Sequence, residues 1–472
     1  MTQKTKIIAT LGPASHSSRV LEDMIIAGAS VFRFNLKHNN HEWHAELANR
    51  LRGIAKKLNK NIALLADLQG PELRIGMLPN NIDKLMLSEG GEVILSKKEQ
   101  TKTTWIPFSN ISCIKDLEKG HSIFIDDGKI ELEVVSIKQD KIIAIVKQGG
   151  GLGSRKSVSI PQANVDVPTL MPKDKKNVAF AVKENFEFVA LSFVRNAADI
   201  ATLRSHIQKL GGNQSIIAKI ETLKSIENMS EIVEKSDGIM VARGDLGVEV
   251  PIEKVPRIQK ELILASRIHF KPVIVATQML LSMVNNPTPS RAEVADIANS
   301  VFDKTDAIML SEETATGLHP VKVVNTMSKI ARYNETHEFV DDLVLKPTSF
   351  EEIVIAASIK FSKGTPNGEE DIKGYIIFTE SGKSARVLSR FRPPLPIYVF
   401  SSHPSVVRKL ALSYGVIGNH MQLHKNPVNN IKSAIEILKK NKFIDKGDKL
   451  ISIFGNNVGV PESNNTISIV SS

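Results

Sequence analysis

The sequence predicts an α/β protein built on a (β/α)8 TIM barrel, with a small β-barrel lid domain inserted into it and a separate C-terminal α/β domain. Three observations predict this. Short apolar runs alternate with amphipathic stretches eight times, one long break turns to period-two alternation, and a new strand–helix alternation starts after about residue 345.

The eight runs are Lys6–Ala9, Ser30–Phe34, Asn61–Ala66, Phe186–Phe193, Ser215–Ile220, Gly238–Val241, Pro272–Ala276 and Asp306–Leu310. Each has the length and continuous apolarity of a strand buried on both faces in a parallel sheet. Between them, stretches such as Ala198–Leu210 and Pro256–His269 repeat apolar residues three to four apart, the pattern of a helix with one buried face. From Pro71 to about Val167 the sequence alternates with turn signals, as in Glu92–Leu95, Ser122–Gly128 and Ile142–Val146. An insertion after the third strand lies over the face where barrel active sites form, so this unit is a candidate lid. Further on, Gly374–Thr379, Pro396–Phe400, Lys449–Phe454 and Thr466–Val470 read as strands, Lys383–Phe391 and Ser405–Leu412 as helices, and Thr365–Glu370 as an exposed loop. The expected division is a barrel over 1–70 and 168–344, a lid over 71–167 and a C-terminal domain over 345–472.

Hydrophobic residues at 42% and charged residues at 24% exclude a disordered or fibrous chain. Lys plus Arg exceeds Asp plus Glu, 61 against 51, and the net +10 would attract nucleic acid, a membrane surface or acidic small molecules. Aromatic residues are only 5%, and no basic run is interleaved with them, which argues against nucleic-acid binding and for a solvated or phosphate-attracting surface. The single cysteine, Cys113, excludes an intrachain disulfide and a cysteine-based zinc cluster. That fits a reducing compartment, and a cytoplasmic protein is expected. Met1–Lys6 runs straight into a short strand-like segment and no apolar run reaches ~18 residues, so no targeting or membrane segment is expected.

In a barrel of this kind the residues just past each strand's carboxyl end build the site. Here they are Arg33 and Asn35, Asp67, Ser192 and Arg195, Lys219 and Glu221, Arg243–Asp245, Thr277 and Gln278, and Ser311 and Glu313, which predicts a cationic pocket bearing carboxylates. Lys219 and Glu221 are two apart on a strand and leave it on the same side, towards the barrel interior. A lysine so placed neutralises a transferring phosphoryl or carboxylate group, unless the two form a structural ion pair. Asp245 adds a carboxylate from the next strand, and two carboxylates with few other ligands suit Mg2+ or Mn2+. Gly244 and Gly247 either admit a ligand close to the backbone or make a tight turn. Arg33 and Arg74 offer forks for phosphate oxygens, or surface solubility. Thr277 either positions a proton relay or caps the next helix, and His38 is either a ligand contact or a loop histidine.

Taken together, these segments resemble the pyruvate kinase family. The resemblance rests on Lys6–Ser15, Asp67–Arg74 around Gly70-Pro71-Glu72, Ser192–Arg195, Ile217–Glu221, Met240–Gly247, Ala276–Leu280 and Pro289–Val294, in family order over nearly the whole chain. It implies phosphoryl transfer from phosphoenolpyruvate to ADP, with Lys219 stabilising the phosphoryl group in transit and Arg33 contacting its oxygens. Glu221 and Asp245 match the ligands of the divalent ion, and Thr277 matches the position that protonates the enolate carbon. Arg33, Lys219, Gly244, Asp245 and Thr277 thus match the substrate site. Arg74, His38, Asn35 and Lys156 match positions around the nucleotide, and the inserted lid would close and exclude water. The rival readings are a metal-dependent aldolase or lyase acting on pyruvate enolate, which Glu221 and Asp245 alone would serve, and a catalytically silent binding protein on the same scaffold.

Where the family reads Arg-x-Asn-Phe-Ser-His-Gly, this chain reads Arg33-Phe34-Asn35-Leu36-Lys37-His38-Asn39. In the family, oxygens matching Asn35, residue 37 and Asp67 help hold K+. An ammonium cannot coordinate a cation, so the expectation is that Lys37 stands in for the monovalent ion. The alternative is that Lys37 swings to solvent and K+ still binds, which Glu72 favours. Thr379–Ser384 follows a strand and opens a helix, and Thr379, Ser381, Gly382 and Ser384 resemble an effector-phosphate loop for a sugar phosphate or nucleotide. The late loop Gly455–Thr466 lacks the family's usual ending. The resemblance also implies a homotetramer.

Overall fold

The computed structural model describes residues 3–79, 82–100, 104–138, 140–336, 345–363, 372–455 and 464–472. Eight parallel strands close into a barrel: β1 (Lys6–Thr10), β2 (Ala29–Asn35), β3 (Ala63–Asp67), β4 (Phe188–Leu191), β5 (Ser215–Ile220), β6 (Gly238–Ala242), β7 (Val273–Ala276) and β8 (Ala307–Leu310). Each neighbours the next in sequence, and β8 pairs with β1 through Lys6↔Ala307 to Ala9↔Leu310. Every apolar run singled out in the sequence contributes one strand.

The period of two sorts the side chains into two cores. Ile8, Val31, Leu65, Ala190, Ile217, Met240 and Ile274 fill the barrel interior. Their neighbours, among them Ile7, Phe32, Leu64 and Val275, pack outward against the helices. Phase then fixes the site. Arg33 follows Val31 by two, Asp67 follows Leu65 by two and Lys219 follows Ile217 by two, so all three emerge on the interior side at the carboxyl ends. The surrounding helices start at side-chain caps, such as Asn40 accepting from the Trp43 N–H at 2.9 Å and the reciprocal Ser290/Glu293 pair before Arg291–Phe302.

Between β3 and β4 the chain builds a seven-stranded sheet whose end strands are Leu73–Arg74 and Thr104–Pro107, flanked by two two-stranded ladders. It has its own core of Leu95, Ile106, Ile123, Leu132 and Ile142.

The C-terminal sheet comprises β9 (Ile372–Phe378), β10 (Ile397–Ser401), β11 (Val416–His420), β12 (Lys449–Phe454) and β13 (Thr466–Ser471), in the order β11-β10-β9-β12-β13 with only β13 antiparallel. The sequence reading found four of these and missed β11, an edge strand ending in Gly418-Asn419-His420. It also missed the helices Phe350–Lys363 and Pro427–Lys440. The expected loop at 365–370, and residues 456–463 of the late glycine-containing loop, lie outside the described residues. Ion pairs fasten this domain beneath the barrel: buried Arg392 grips Asp306 through two bonds of 3.1 and 2.7 Å, and the half-buried Arg408 meets Glu187 at 2.6 Å. No helix among the described residues is long and apolar enough to cross a membrane.

Candidate active site

At the top of the barrel the Lys219 ammonium lies 2.7 Å from Glu221 Oε1 and 3.6 Å from Asp67 Oδ1, and donates to Ser192 Oγ at 2.8 Å. Ser192 in turn donates to the Leu68 carbonyl, so three strands share one network. Arg33 donates from Nε to Asp67 Oδ2 at 2.6 Å and from Nη1 to Thr10 Oγ1 at 3.1 Å. Burial opposes the charge on Asp67, but Lys219 and Arg33 outweigh it and hold this carboxyl below its ordinary range. Against the same cost of burial, Asp67 and Glu221 keep Lys219 firmly protonated.

Glu221 behaves differently. Burial pushes its carboxyl up to about 7, with the Asp245 charge adding to the rise and Lys219 opposing it. Burial likewise raises Asp245, against the pull of Lys219 and with Asp127 and Glu72 adding to the rise. Both carboxylates line a cleft of about 390 Å3 between the barrel and the inserted sheet, which contributes Phe124, Asp127 and Ser157–Ile160 to its walls. Two adjacent carboxylates that resist ionising together, open to a cleft, fit a divalent cation. Among the described residues no three His, Cys, Asp or Glu side chains group to enclose a metal. A two-carboxylate set suits an ion that completes its shell with water and substrate oxygens.

Thr277 follows β7 directly at φ +71° and Gln278 comes next at +58°, backbone that a β-branched residue almost never adopts. Its hydroxyl accepts from the Gly244 N–H at 2.9 Å and donates to the Ala276 carbonyl at 2.6 Å. A Cβ on Gly244 would make only ordinary contact with Thr277, so Gly244 is not required by crowding there.

Two of the residues matched to the nucleotide, Asn35 and Arg74, join a network centred on Glu72, which lines the cleft. Glu72 links two of its elements, with Oε2 3.0 Å from the Lys37 ammonium and Oε1 2.5 Å from Arg74. Arg74 also donates to the Arg155 carbonyl at 2.6 Å, and Lys156 pairs with Asp126 at 2.9 Å. Asn35 Oδ1 accepts from the Lys37 backbone N–H at 3.2 Å. His38 is largely exposed, and partial desolvation of its ring together with Lys37, Lys173 and Arg33 lowers its pKa. Lys37 therefore turns neither to solvent nor onto Asn35 or Asp67, but onto Glu72. Asp67 Oδ1 is buried without a hydrogen-bond partner. The Lys219 ammonium stands 3.6 Å from it.

Two further strand-end residues are engaged in structural contacts, Arg195 while also lining the cleft. Arg195 grips Asp199 and donates to the Val165 and Val167 carbonyls at 3.0 and 3.1 Å, clipping the strand that returns from the inserted sheet. Glu313 accepts the Leu280 and Ser311 N–H groups. Conversely, Arg243 donates to the Thr277 carbonyl at 2.7 Å and is itself held by the two Asp296 oxygens at 2.6 and 2.7 Å. Sequence reasoning named Arg243 only as one of the strand ends and missed Asp296, which lies two residues beyond the Pro289–Val294 segment and carries no local signal of its role. In the C-terminal domain, Thr379 Oγ1 accepts from the Gly382 N–H at 2.9 Å and Ser381 Oγ from Lys383 at 3.3 Å. Ser384 donates to Glu351 at 2.6 Å and accepts from Asn464. The φ of +81° at Gly382 is what lets this turn enter the helix Lys383–Arg390.

A (β/α)8 barrel whose carboxyl end gathers a buried lysine, an arginine and two cleft-facing carboxylates beneath an inserted lid defines a barrel enzyme that handles anionic substrates. The family description "Pyruvate kinase, barrel domain" matches residues 2–324 and "Pyruvate kinase, alpha/beta domain" matches 365–470. The chain belongs to the pyruvate kinase family, and it is an enzyme of that kind. It is 37% identical to the pyruvate kinase of Thermococcus litoralis, over 99% of this chain and 98% of that one. It is also 37% identical to the pyruvate kinase of Staphylococcus aureus strain USA300, over 99% of this chain and 80% of that longer one. A crystal structure of a pyruvate kinase from Cryptosporidium parvum superposes with a TM-score of 0.91 at 33% identity, covering all of this chain and 96% of that one.

Proposed function

We propose that the chain transfers the phosphoryl group of phosphoenolpyruvate to ADP with Lys219, Arg33 and Thr277 as its catalytic groups. The observation that carries this reading is the Lys219 ammonium held among Asp67, Glu221 and Ser192, with Glu221 lining the cleft beneath the inserted sheet. The bond from phosphorus to the enol oxygen breaks, a bond to a β-phosphate oxygen of ADP forms, and the enolate carbon takes a proton to give pyruvate. The charge on the moving phosphoryl group is met by Lys219 and by the Arg33 fork, both fixed before substrate arrives. Glu221 and Asp245 would hold Mg2+ or Mn2+, which when bound supplies Lewis-acid stabilisation of substrate oxygens. Gly244 and Asp245 border the substrate, and Thr277 delivers the proton. Arg74, His38, Asn35 and Lys156 receive the nucleotide. The inserted sheet keeps water from the phosphoryl group, favouring transfer over hydrolysis.

Lys37 supplies fixed positive charge at Glu72, and turnover is independent of K+. Thr379, Ser381, Gly382 and Ser384 receive the phosphate of a sugar phosphate or nucleotide effector. A cytoplasmic homotetramer is the expected form, supported by the apolar face that Phe350, Ile353 and Phe361 expose on one helix. The deciding assay is the initial rate of pyruvate formation from phosphoenolpyruvate and ADP with Mg2+. Pyruvate released from a 4-hydroxy-2-oxo acid, with none formed from phosphoenolpyruvate and ADP, would replace this reading with a lyase. No turnover in any salt would replace it with a silent scaffold.

A further inference from the structure

Thr277 occupies a backbone conformation that costs a threonine free energy, and such a conformation persists only where its surroundings over-determine it. One side chain supplies most of that restraint. The Arg243 guanidinium donates from Nε to the Ala276 carbonyl at 3.2 Å and from Nη2 to the Thr277 carbonyl at 2.7 Å. The same fork meets both oxygens of Asp296, Nη1 to Oδ1 at 2.6 Å and Nη2 to Oδ2 at 2.7 Å. Arg243 is mostly buried, and Asp296 stands on the helix Arg291–Phe302, whose start is locked by the Ser290/Glu293 box. The restraint also reaches the hydroxyl. Gly244, next to Arg243, donates its N–H to Thr277 Oγ1, and Asp245 follows directly.

We propose that Arg243, oriented by Asp296, is a positioning residue that sets the Thr277 hydroxyl for proton delivery to the enolate carbon. The inference rests on the functional reading above, which assigns that delivery to Thr277. In the step concerned, a C–H bond forms at the enolate carbon, an O–H bond at the donor breaks, and solvent returns the proton to the donor. Only a planar fork can span two successive carbonyls and a carboxylate at once. A lysine in the same place keeps the charge but not the geometry. The arrangement also ties the end of β7 to the segment bearing Asp245, so the proton-delivering group and a cleft carboxylate keep a fixed separation.

The test uses the full-length enzyme and the variants Asp296→Asn and Arg243→Lys. Run backwards, the step removes a methyl proton from pyruvate, so deuterium uptake into pyruvate in D2O with Mg2+ reads it without phosphoryl transfer. The expected result is a loss of about 10- to 100-fold in both exchange and kcat, as small misplacements of a reacting group produce. KM for phosphoenolpyruvate and half-saturation by Mg2+ should stay within about twofold of wild type. Partial recovery is expected in Asp296→Glu, which keeps the carboxylate. The proposal is overturned if exchange and kcat stay within about twofold of wild type in folded variants, or if the loss lies wholly in KM or in the Mg2+ requirement. Should Arg243→Lys fail to fold, Asp296→Asn carries the test, because it is isosteric and one-third exposed. A wild type that forms no pyruvate overturns the functional reading. An active wild type with equally active variants overturns the positioning role alone.

Discussion

Lys219 and Glu221, two residues apart on one strand, form a 2.7 Å ion pair inside the barrel mouth, yet only the lysine is fully committed to its charge. Asp67 and Glu221 together favour the ammonium, whereas burial and Asp245 disfavour the Glu221 carboxylate. Replacing Lys219 by Met removes the cation aimed at the phosphoryl group. The expected fall in kcat is on the order of 100- to 1,000-fold, the scale of losing one pre-aimed electrostatic contact. Glu221 then loses its internal partner, so half-saturation by Mg2+ should not weaken. Steady-state rates across a Mg2+ titration check both halves, and a rate near wild type would remove Lys219 from the mechanism.

The 3.0 Å contact between Lys37 and Glu72 predicts how the enzyme responds to monovalent ions. In a buffer with an organic cation and neither Na+ nor NH4+, wild type should turn over at a rate that K+ does not change. Lys37→Ser leaves Glu72 with Arg74 alone and restores a hydroxyl beside Asn35, so that variant should become K+-activated. Strong activation of wild type by K+ would show that the Lys37 ammonium does not take the ion's place.

Arg195 joins the lid's return strand to the helix Ala197–Lys209 through the Val165 and Val167 carbonyls and both Asp199 oxygens. Arg195→Lys keeps one positive charge and loses the fork. Looser seating of the lid should let water compete, so pyruvate released without matching ATP should rise several-fold as a share of turnover. Paired pyruvate and ATP assays read this ratio. An unchanged ratio would mean that the clip stabilises the fold without governing the lid.

The barrel was legible because eight strands buried on both faces leave continuous apolar runs, and the period of two placed Arg33, Asp67 and Lys219 on the interior side. Pairings across long separations were not. Arg243 and Asp296 are 53 residues apart, and nothing local in either segment announces that one holds Thr277 for the other. Arg195 lines the cleft as its strand-end position predicted, but its pairing with Asp199 and with the Val165 and Val167 carbonyls was not legible, because a strand end does not reveal which partners a long side chain reaches. Strand β11 was missed because an edge strand pairs on one side only, and Gly418-Asn419-His420 lacks the apolar pattern that burial imposes.

Lys6 makes the last prediction, at the junction beneath the barrel. Its ammonium donates to the Val416 carbonyl at 2.7 Å, and although part of the residue reaches the surface, the ammonium itself is enclosed. Burial pulls its pKa down to about 8 from 10.5, with Glu335 and Asp306 opposing the fall. Below about pH 8 both the folded and the unfolded chain hold this proton, and the fold bears the whole cost of an enclosed charge. Between 8 and 10.5 the folded chain releases it while the unfolded chain keeps it, so this group's contribution to stability rises with pH through that window. Each tenfold difference in proton affinity between the two states is worth ~1.4 kcal/mol, which makes the full change up to about 3 kcal/mol. Lys6→Met has no proton to release, so the stability of wild type relative to that variant should be flat below pH 8 and climb above it. Denaturant midpoints of both proteins at pH 7, 9 and 10 test this directly. A difference that stays constant or falls across the series would mean that Glu335 and Asp306 keep the Lys6 charge as stable inside the fold as in water.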